Sequence, residues 1–518
     1  MKMKRKIIYY FAAALSVIVL LSSGCTKDFD NLNNNPNSPG LDQAAPNMLL
    51  TSAIESMTDR VHEIFLGHEM GSCWVQHMAK VQYPDEDRYI PRMSVINNTW
   101  GSFYATSGYD VQTIYNIAVT NGNDSYKAVA LILKTYITSV LTDEFGSVPY
   151  TEAWLGSDAT KPVVSPVYDT QQSIYTALLA NLEEANTLLK EDGPSIKGDI
   201  LYGNDLMLWK KFANSLKLRL LMRQSDRVNP TAAITAIVKD PVKYPIFESN
   251  SDNAALQYLG SAPNNNPINE NRKTRDDHRV SKTIIDVMWT NNPNMDYRIA
   301  VYANLPSAAT WWDGLPNGMT STDAANYKGN GITKTSKIGS YFSAATAPGM
   351  LMSYAEVEFI LAEAAQRGFI TNPTKTVEEY YTEAVTGSYY QYADAIVANN
   401  KAIAALGIPA AWTIDDFVAD YFTNYAAFDA ANALEQIYTE KWLAMFDQGL
   451  QAKFEWNRTG IPVLTPAIAG QNGGKIPVRA YYPSDESARN PTNLAAAVAA
   501  QGTDDLNTRV WWDIKNNY

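Results

Sequence analysis

His62 and His68 flank a glutamate in H-E-I-F-L-G-H, so the first chemistry to weigh is a zinc site on a helix. Such a site needs its two histidines four residues apart, on one helix face. Here they are six apart, on opposite faces, so the zinc reading fails and two surface or capping histidines are expected. Gly470-Q-N-G-G-Lys475 approaches the pattern of a phosphate-binding loop but is one residue short. Ile476 also stands where a magnesium-binding hydroxyl belongs. No G-x-S-x-G nucleophile elbow occurs. Cys73, in the apolar stretch G-S-C-W-V, is expected to be a buried, inert thiol. With 54 Asp and Glu residues, some pair will lie near the separation a glycosidase needs, but sequence does not place one. Pro84-Asp85-Glu86-Asp87 and Asp276-Asp277 lack the alternating oxygen-ligand pattern of a calcium loop. They read as solvated acidic loops. Calcium stays open without being expected, and no other cofactor is implied.

The aromatics carry the remaining chemistry. Their flat apolar faces stack on sugar C–H faces, and Tyr and Trp add a polar edge. Trp311-Trp312 lies in a Pro/Gly turn region, off any periodic face. Two successive large side chains rarely both find core space. This pair is therefore a candidate stacking face, with Trp74, Tyr83 and Tyr341 as further candidates near loops, beside Tyr89 and Phe342. Trp209, Trp442 and Trp456 lie on helical stripes and are expected in the core.

Helices must position these residues. Ile174, Leu178, Leu182, Ala185 and Leu189 recur at spacings of three and four. Leu206, Trp209, Phe212, Leu216 and Leu220 do the same, with Lys210, Lys211 and Lys217 off that stripe. Ser353-Y-A-Glu356 reads as a capping box whose helix stops at Gly368, with Tyr354, Val357, Leu361 and Ala364 facing inward. Leu434, Ile437, Tyr438, Trp442 and Met445 form another buried face. Few strand patterns appear. The expected fold is mostly α, with stacked helix pairs in an α-solenoid-like body and little β. No clear 34-residue repeat is visible. Residues 257–279, 303–349 and 460–483 are long tracts expected to be non-helical. They are aromatic as well as polar, which favours function over disorder.

The N-terminus begins M-K-M-K-R-K and continues into the apolar run Ile7–Leu21. That is the layout of a secretory signal, and the run is short for a membrane span. Leu21-S-S-G-Cys25 resembles the lipobox of bacterial lipoproteins, in which the cysteine is lipidated. Residues 1–24 are then the signal peptide, 25–46 the lipidated Cys25 and an Asn/Pro-rich tether, and 47–518 one large folded domain. Thr26 in place of aspartate argues against inner-membrane retention. Lys27-D-F-Asp30 is similar to acidic surface-export signals. With Cys25 acylated, Cys73 has no partner for an intramolecular disulfide. The net charge is −12, and removing Lys2, Lys4, Arg5 and Lys6 takes it to −16. So acidic a chain is a poor nucleic-acid binder.

Several stretches, in order, resemble the SusD/RagB-like family of nutrient-binding outer-membrane lipoproteins. They are Cys25-T-K-D-F-D-N-L-N-N-N-P-N, Leu141-T-D-E-F-G-S-V-P-Tyr150-T-E-A and Trp209-K-K-F-A-N-S-L-K-L-R-L-L-M-Arg223. Ser353-Y-A-E-V-E-F-I-L-A-E-A-A-Q-R-Gly368 and Ile437-Y-T-E-K-W-L-A-M-F-D-Q-G follow. Glu455-W-N-R-T-G-I-P and Ile476-P-V-R-A-Y-Y-P-S-D-E close the series. The resemblance implies a TPR-like helix-pair scaffold with loops carrying the ligand site. It also implies a non-catalytic role: capture of an oligosaccharide, or alternatively a peptide, as a lid on a SusC-like TonB-dependent outer-membrane transporter. Trp311-Trp312-D-G-L-P-N-Gly318 is similar to the family's turn. Arg219, Arg223, Arg458 and Arg479 are expected to pair within the structure. A surface glycoside hydrolase using an unseen carboxylate pair is the competing class.

Overall fold

The structure, a computed structural model, describes residues 45–156, 160–289 and 295–515. Cys25, the signal segment 1–24 and residues 25–44 of the tether lie outside the described residues. Nine helices carry the argument: α1 (Pro46–His62), α2 (Gly108–Asn121), α3 (Asp124–Phe145), α4 (Gln171–Leu188), α5 (Leu206–Arg223), α6 (Tyr354–Gln366), α7 (Val377–Tyr390), α8 (Ala433–Ala444) and α9 (Gly449–Thr459).

Gly122, in the left-handed region, ends α2, and the Asn123 side chain caps α3 by accepting from the Tyr126 N–H. So short a connection forces the two helices to lie antiparallel. The periodic apolar face of α4 then packs on α3, and α5 packs on α4. Helix α3 is central and buried on nearly every face from Ala128 onward. The pairs α6–α7, α6–α8 and α8–α9 build the second half, and α5 meets α6 to join the two. The body is 54% helical and 5% strand, the helix-pair fold expected. Among the described residues, no helix is long and apolar enough to cross a membrane.

Charged side chains bridge the helices inside this body. Arg219 of α5 makes a bidentate pair with Glu356 of α6, both bonds 2.6 Å. Arg223 bonds Asp143 of α3 at 2.8 Å and Glu455 of α9 at 3.0 Å. Arg458 of α9 is bidentate on Glu363 of α6 at 2.6 Å and also reaches Glu455. Burial alone would raise the Glu455 carboxyl, but Arg458, Lys441 and Arg223 hold it well below the usual range. Arg479 pairs with Asp504 and fixes the chain before Tyr482.

Three expectations change. Ser353 does cap α6 through the Glu356 N–H. The Glu356 carboxylate, however, turns to Arg219 instead of completing the box. The long tracts contain short helices at Pro267–Arg272, Ser321–Asn326 and Gly331–Lys334, each started by a side-chain cap. His62 and His68 are not surface residues, for both are buried. After α1 the chain continues as a π-wound segment, Ile64–Ser72, pressed against the start of α9. A Cβ on Gly71 would stand 2.6 Å from the Gly449 carbonyl carbon, so only glycine permits this approach. That contact seats His68 Nε2 2.8 Å from Asp447 Oδ1.

Strands are few. β1 (Met78–Lys80) pairs antiparallel with β3 (His278–Val280), Lys80 opposite His278. β2 (Ala254–Leu256) pairs antiparallel with β4 (Gly349–Met352).

Candidate functional site

The β1–β3 ribbon organises the candidate site, because a recess opens at each of its ends. Past the C-terminal end of β3, Ser281 caps the short helix Lys282–Met288, and Trp289 stands where that helix stops. The turn Asp313–Gly318 is laced onto the same ribbon. Leu315 N–H donates to Val280 O, and Lys282 N–H donates to Leu315 O. A Cβ on Gly314 would lie 2.3 Å from Lys282 Cα, so glycine is required there. The Asn317 amide donates to Asp87, Met78 O and Cys73 O, and Gly318 N–H donates to Asp87. The turn is thus a clamp, and it delivers Trp311 and Trp312 to Trp289.

The two tryptophans part company there. Trp312 is buried, with Nε1–H bonded to Ala303 O at 2.8 Å, and it meets Trp289 edge-on. Trp311 is half-buried and lies over Trp289 with centroids 5.1 Å apart and planes 31° apart. These rings, with Lys282, Asp286, Asp313 and Lys328, line a recess of about 350 Å³. Lys282 pairs with Asp286, and Lys328 with Asp313. The recess therefore offers aromatic faces rimmed by two neutralised ion pairs, a surface suited to hydroxyl-bearing ligands.

Sequence reading missed Trp289. It ends a helical run and shows its role only once Trp311 is folded onto it. Trp74 cannot present a face to ligand. It is buried, with Nε1–H on Glu86 O and the Lys453 ammonium over its ring. Tyr341 is half-buried and packs edge-on against Phe342 and Tyr392, outside both recesses. Tyr89 and Phe342 are core residues.

Tyr83 is 62% exposed and belongs to the second recess, at the other end of the ribbon. Its neighbours overturn the solvated-loop reading of Pro84–Asp87. Glu86 and Asp87 are buried. Lys80 and Arg92 each bridge Glu69 and Glu86. Asp87 accepts from the Lys80 and Gly318 N–H groups and from Asn317. Burial still pushes its carboxyl up to about 6, against those hydrogen bonds. Cys73 is buried as expected, and burial raises its thiol well above the ordinary range.

All four histidines of the chain are buried, and His278 lines this recess. The His68 and His278 rings meet edge-on at 5.8 Å. His62 Nε2 bonds Met350 O, and His77 packs against Trp442 and Phe446. Burial lowers His62 and His278, and takes His77 down to about 3.

A helical body thus holds two ligand-sized recesses on its loops. The chain belongs to the SusD-like family, described as "Starch-binding associating with outer membrane", which it matches over residues 36–483. A chitin-binding protein shares the fold with a TM-score of 0.77 and 27% identity, over 91% of this chain and 100% of that one. A SusD homologue of Bacteroides fragilis NCTC 9343 matches with a TM-score of 0.73 and 24% identity, over 92% and 100%. A chitin-binding SusD homologue of Flavobacterium johnsoniae matches with a TM-score of 0.71 and 23% identity, over 91% and 99%. No curated protein sequence matches the chain.

Proposed function

We propose that this protein captures oligosaccharides at the outer membrane through the tryptophan recess and hands them to a TonB-dependent transporter, over which it acts as a lid. Cys25 is the lipid anchor in this reading, exposed by removal of residues 1–24, and residues 25–46 are the tether to one folded domain facing outward. No chemistry is performed on the ligand. The carrying observation is the half-buried Trp311–Trp289 pair rimmed by Lys282–Asp286 and Lys328–Asp313. Rings already held in place lose little freedom on binding. Ion pairs at the rim offer donors and acceptors to hydroxyl groups without a net charge. The family description and the chitin-binding relative support a glycan ligand. The non-catalytic reading is further supported by Glu69 and Glu86. This close carboxylate pair is fully engaged by Lys80 and Arg92.

The test is calorimetric titration of the mature chain carrying Cys25→Ser with chito-oligosaccharides, malto-oligosaccharides and a peptide panel. Trp311→Ala is expected to weaken glycan binding at least about tenfold, or ~1.4 kcal/mol. Unchanged binding would discard the site. Binding to peptides alone would replace the ligand class. Product release from a glycan would return the hydrolase.

A further inference from the structure

The second recess, about 240 Å³ beneath Tyr83, is lined by groups that the tryptophan reading leaves unused. Lys80 and Arg92 are consumed by Glu69 and Glu86, which makes a neutral floor. Above it, the Arg275 guanidinium lies 4.5 Å over one face of the Tyr83 ring and 3.7 Å from Asp277. Asn271 completes that wall. His278 also lines the recess. It is only 7% exposed, and its Nε2 is buried without a hydrogen-bond partner. Tyr83 is held at φ 47°, an uncommon conformation for a bulky residue and one that the surrounding structure must maintain.

The balance of groups selects the ligand. An anion would face Glu69, Glu86, Asp85 and Asp277. A cation would face Lys80, Arg92 and Arg275. A hydroxyl both donates and accepts, so a neutral sugar ring fits alternating carboxylate, guanidinium and amide groups. The two recesses also flank one strand, β3. Asp277 lines one and Lys282 the other. Five residues of extended chain separate their Cα atoms by at most ~18 Å.

We propose that the Tyr83–Arg275 recess is a second subsite for a neutral sugar unit, so that one oligosaccharide long enough to reach both recesses is gripped at both ends of the β1–β3 ribbon. This rests on the tryptophan recess being a glycan site. A chain held at one end meets the second subsite at high effective concentration, so affinity rises steeply once its length suffices. A shorter chain gains nothing.

The experiment is titration of the mature chain with two- to six-unit chito- and malto-oligosaccharides, for the unsubstituted protein, Tyr83→Ala, Asn271→Ala and Trp311→Ala. Tyr83 is on the surface and Asn271 is half-buried, so neither variant threatens the core. Hexasaccharide affinity is expected to exceed disaccharide affinity by at least tenfold. Tyr83→Ala and Asn271→Ala are expected to remove most of that ratio while leaving disaccharide binding at the tryptophan recess unchanged. A length ratio that survives both substitutions overturns the second subsite while the tryptophan site stands. Absence of saccharide binding by the unsubstituted protein would instead overturn the glycan reading itself, and the subsite with it.

Discussion

Glu363→Ala is expected to lower stability by about 3–5 kcal/mol, although it touches neither recess. Glu363 is fully buried and accepts two bonds from Arg458, one from Arg367 and one from the Tyr438 hydroxyl. Deleting it strands the Arg458 guanidinium in the interior with Glu455 as its only carboxylate. Glu455 already serves Arg223 and Lys441. The loss therefore spreads across α5, α6, α8 and α9. Urea denaturation at neutral pH checks it. Glu363→Gln, which keeps the shape but not the charge, should fall between the two. A change below about 1 kcal/mol for Glu363→Ala would mean that the network does not hold these helices together.

The second large effect is acid sensitivity from the buried histidines. His77 titrates near 3 in the folded chain against 6.5 when unfolded. Below 6.5 the unfolded chain binds the proton and the folded chain does not. The contribution is fully present above about pH 6.5 and is lost as pH falls toward about 3. Its ceiling for His77 alone is about 5 kcal/mol. His62 and His278 act with the same sign. Buried carboxyls held above their ordinary range act oppositely, three of them strongly. Asp87 is raised to about 6, Asp513 to about 7 and Glu358 to about 8, each chiefly by burial. Their protonation favours the folded state as pH falls, so the raw stability curve mixes both. His77→Phe isolates the histidine, since an aromatic ring is kept between Trp442 and Phe446 without a titrating group. The difference in denaturation free energy between this variant and the parent should grow in the variant's favour from pH 7 to pH 4. A pH-independent difference would refute the assignment.

The helix stripes were legible because burial on one face imposes its own period. Ile174 to Leu189 and Leu206 to Leu220 can be read without knowing what they pack on. What stayed hidden depends on partners remote in sequence. The Glu356 carboxylate goes to Arg219, 137 residues away, so a local capping rule accounted for only half of its environment. Asp87 looked solvated because Asn317 and Gly318 cannot be seen from Pro84-Asp-Glu-Asp. Trp312 and Trp74 looked available because a loop position does not reveal a carbonyl waiting for the indole N–H. Trp289 was passed over because the ring above it arrives from a later turn. The short helix Pro267–Arg272 was readable after all. Asn266 followed by Pro267 is a cap and a first helical residue, and the surrounding Asn/Pro richness obscured it.

The placement of the histidines has a further consequence outside the core. Histidine is the side chain whose ordinary titration falls between about pH 5 and 8, and here all four are buried. The charge this protein shows to a neighbour is therefore not switched by an exposed histidine between mildly acidic and neutral surroundings. Acid acts on the histidines from within, by loosening the packing around them, and not by adding histidine charge to the outer face.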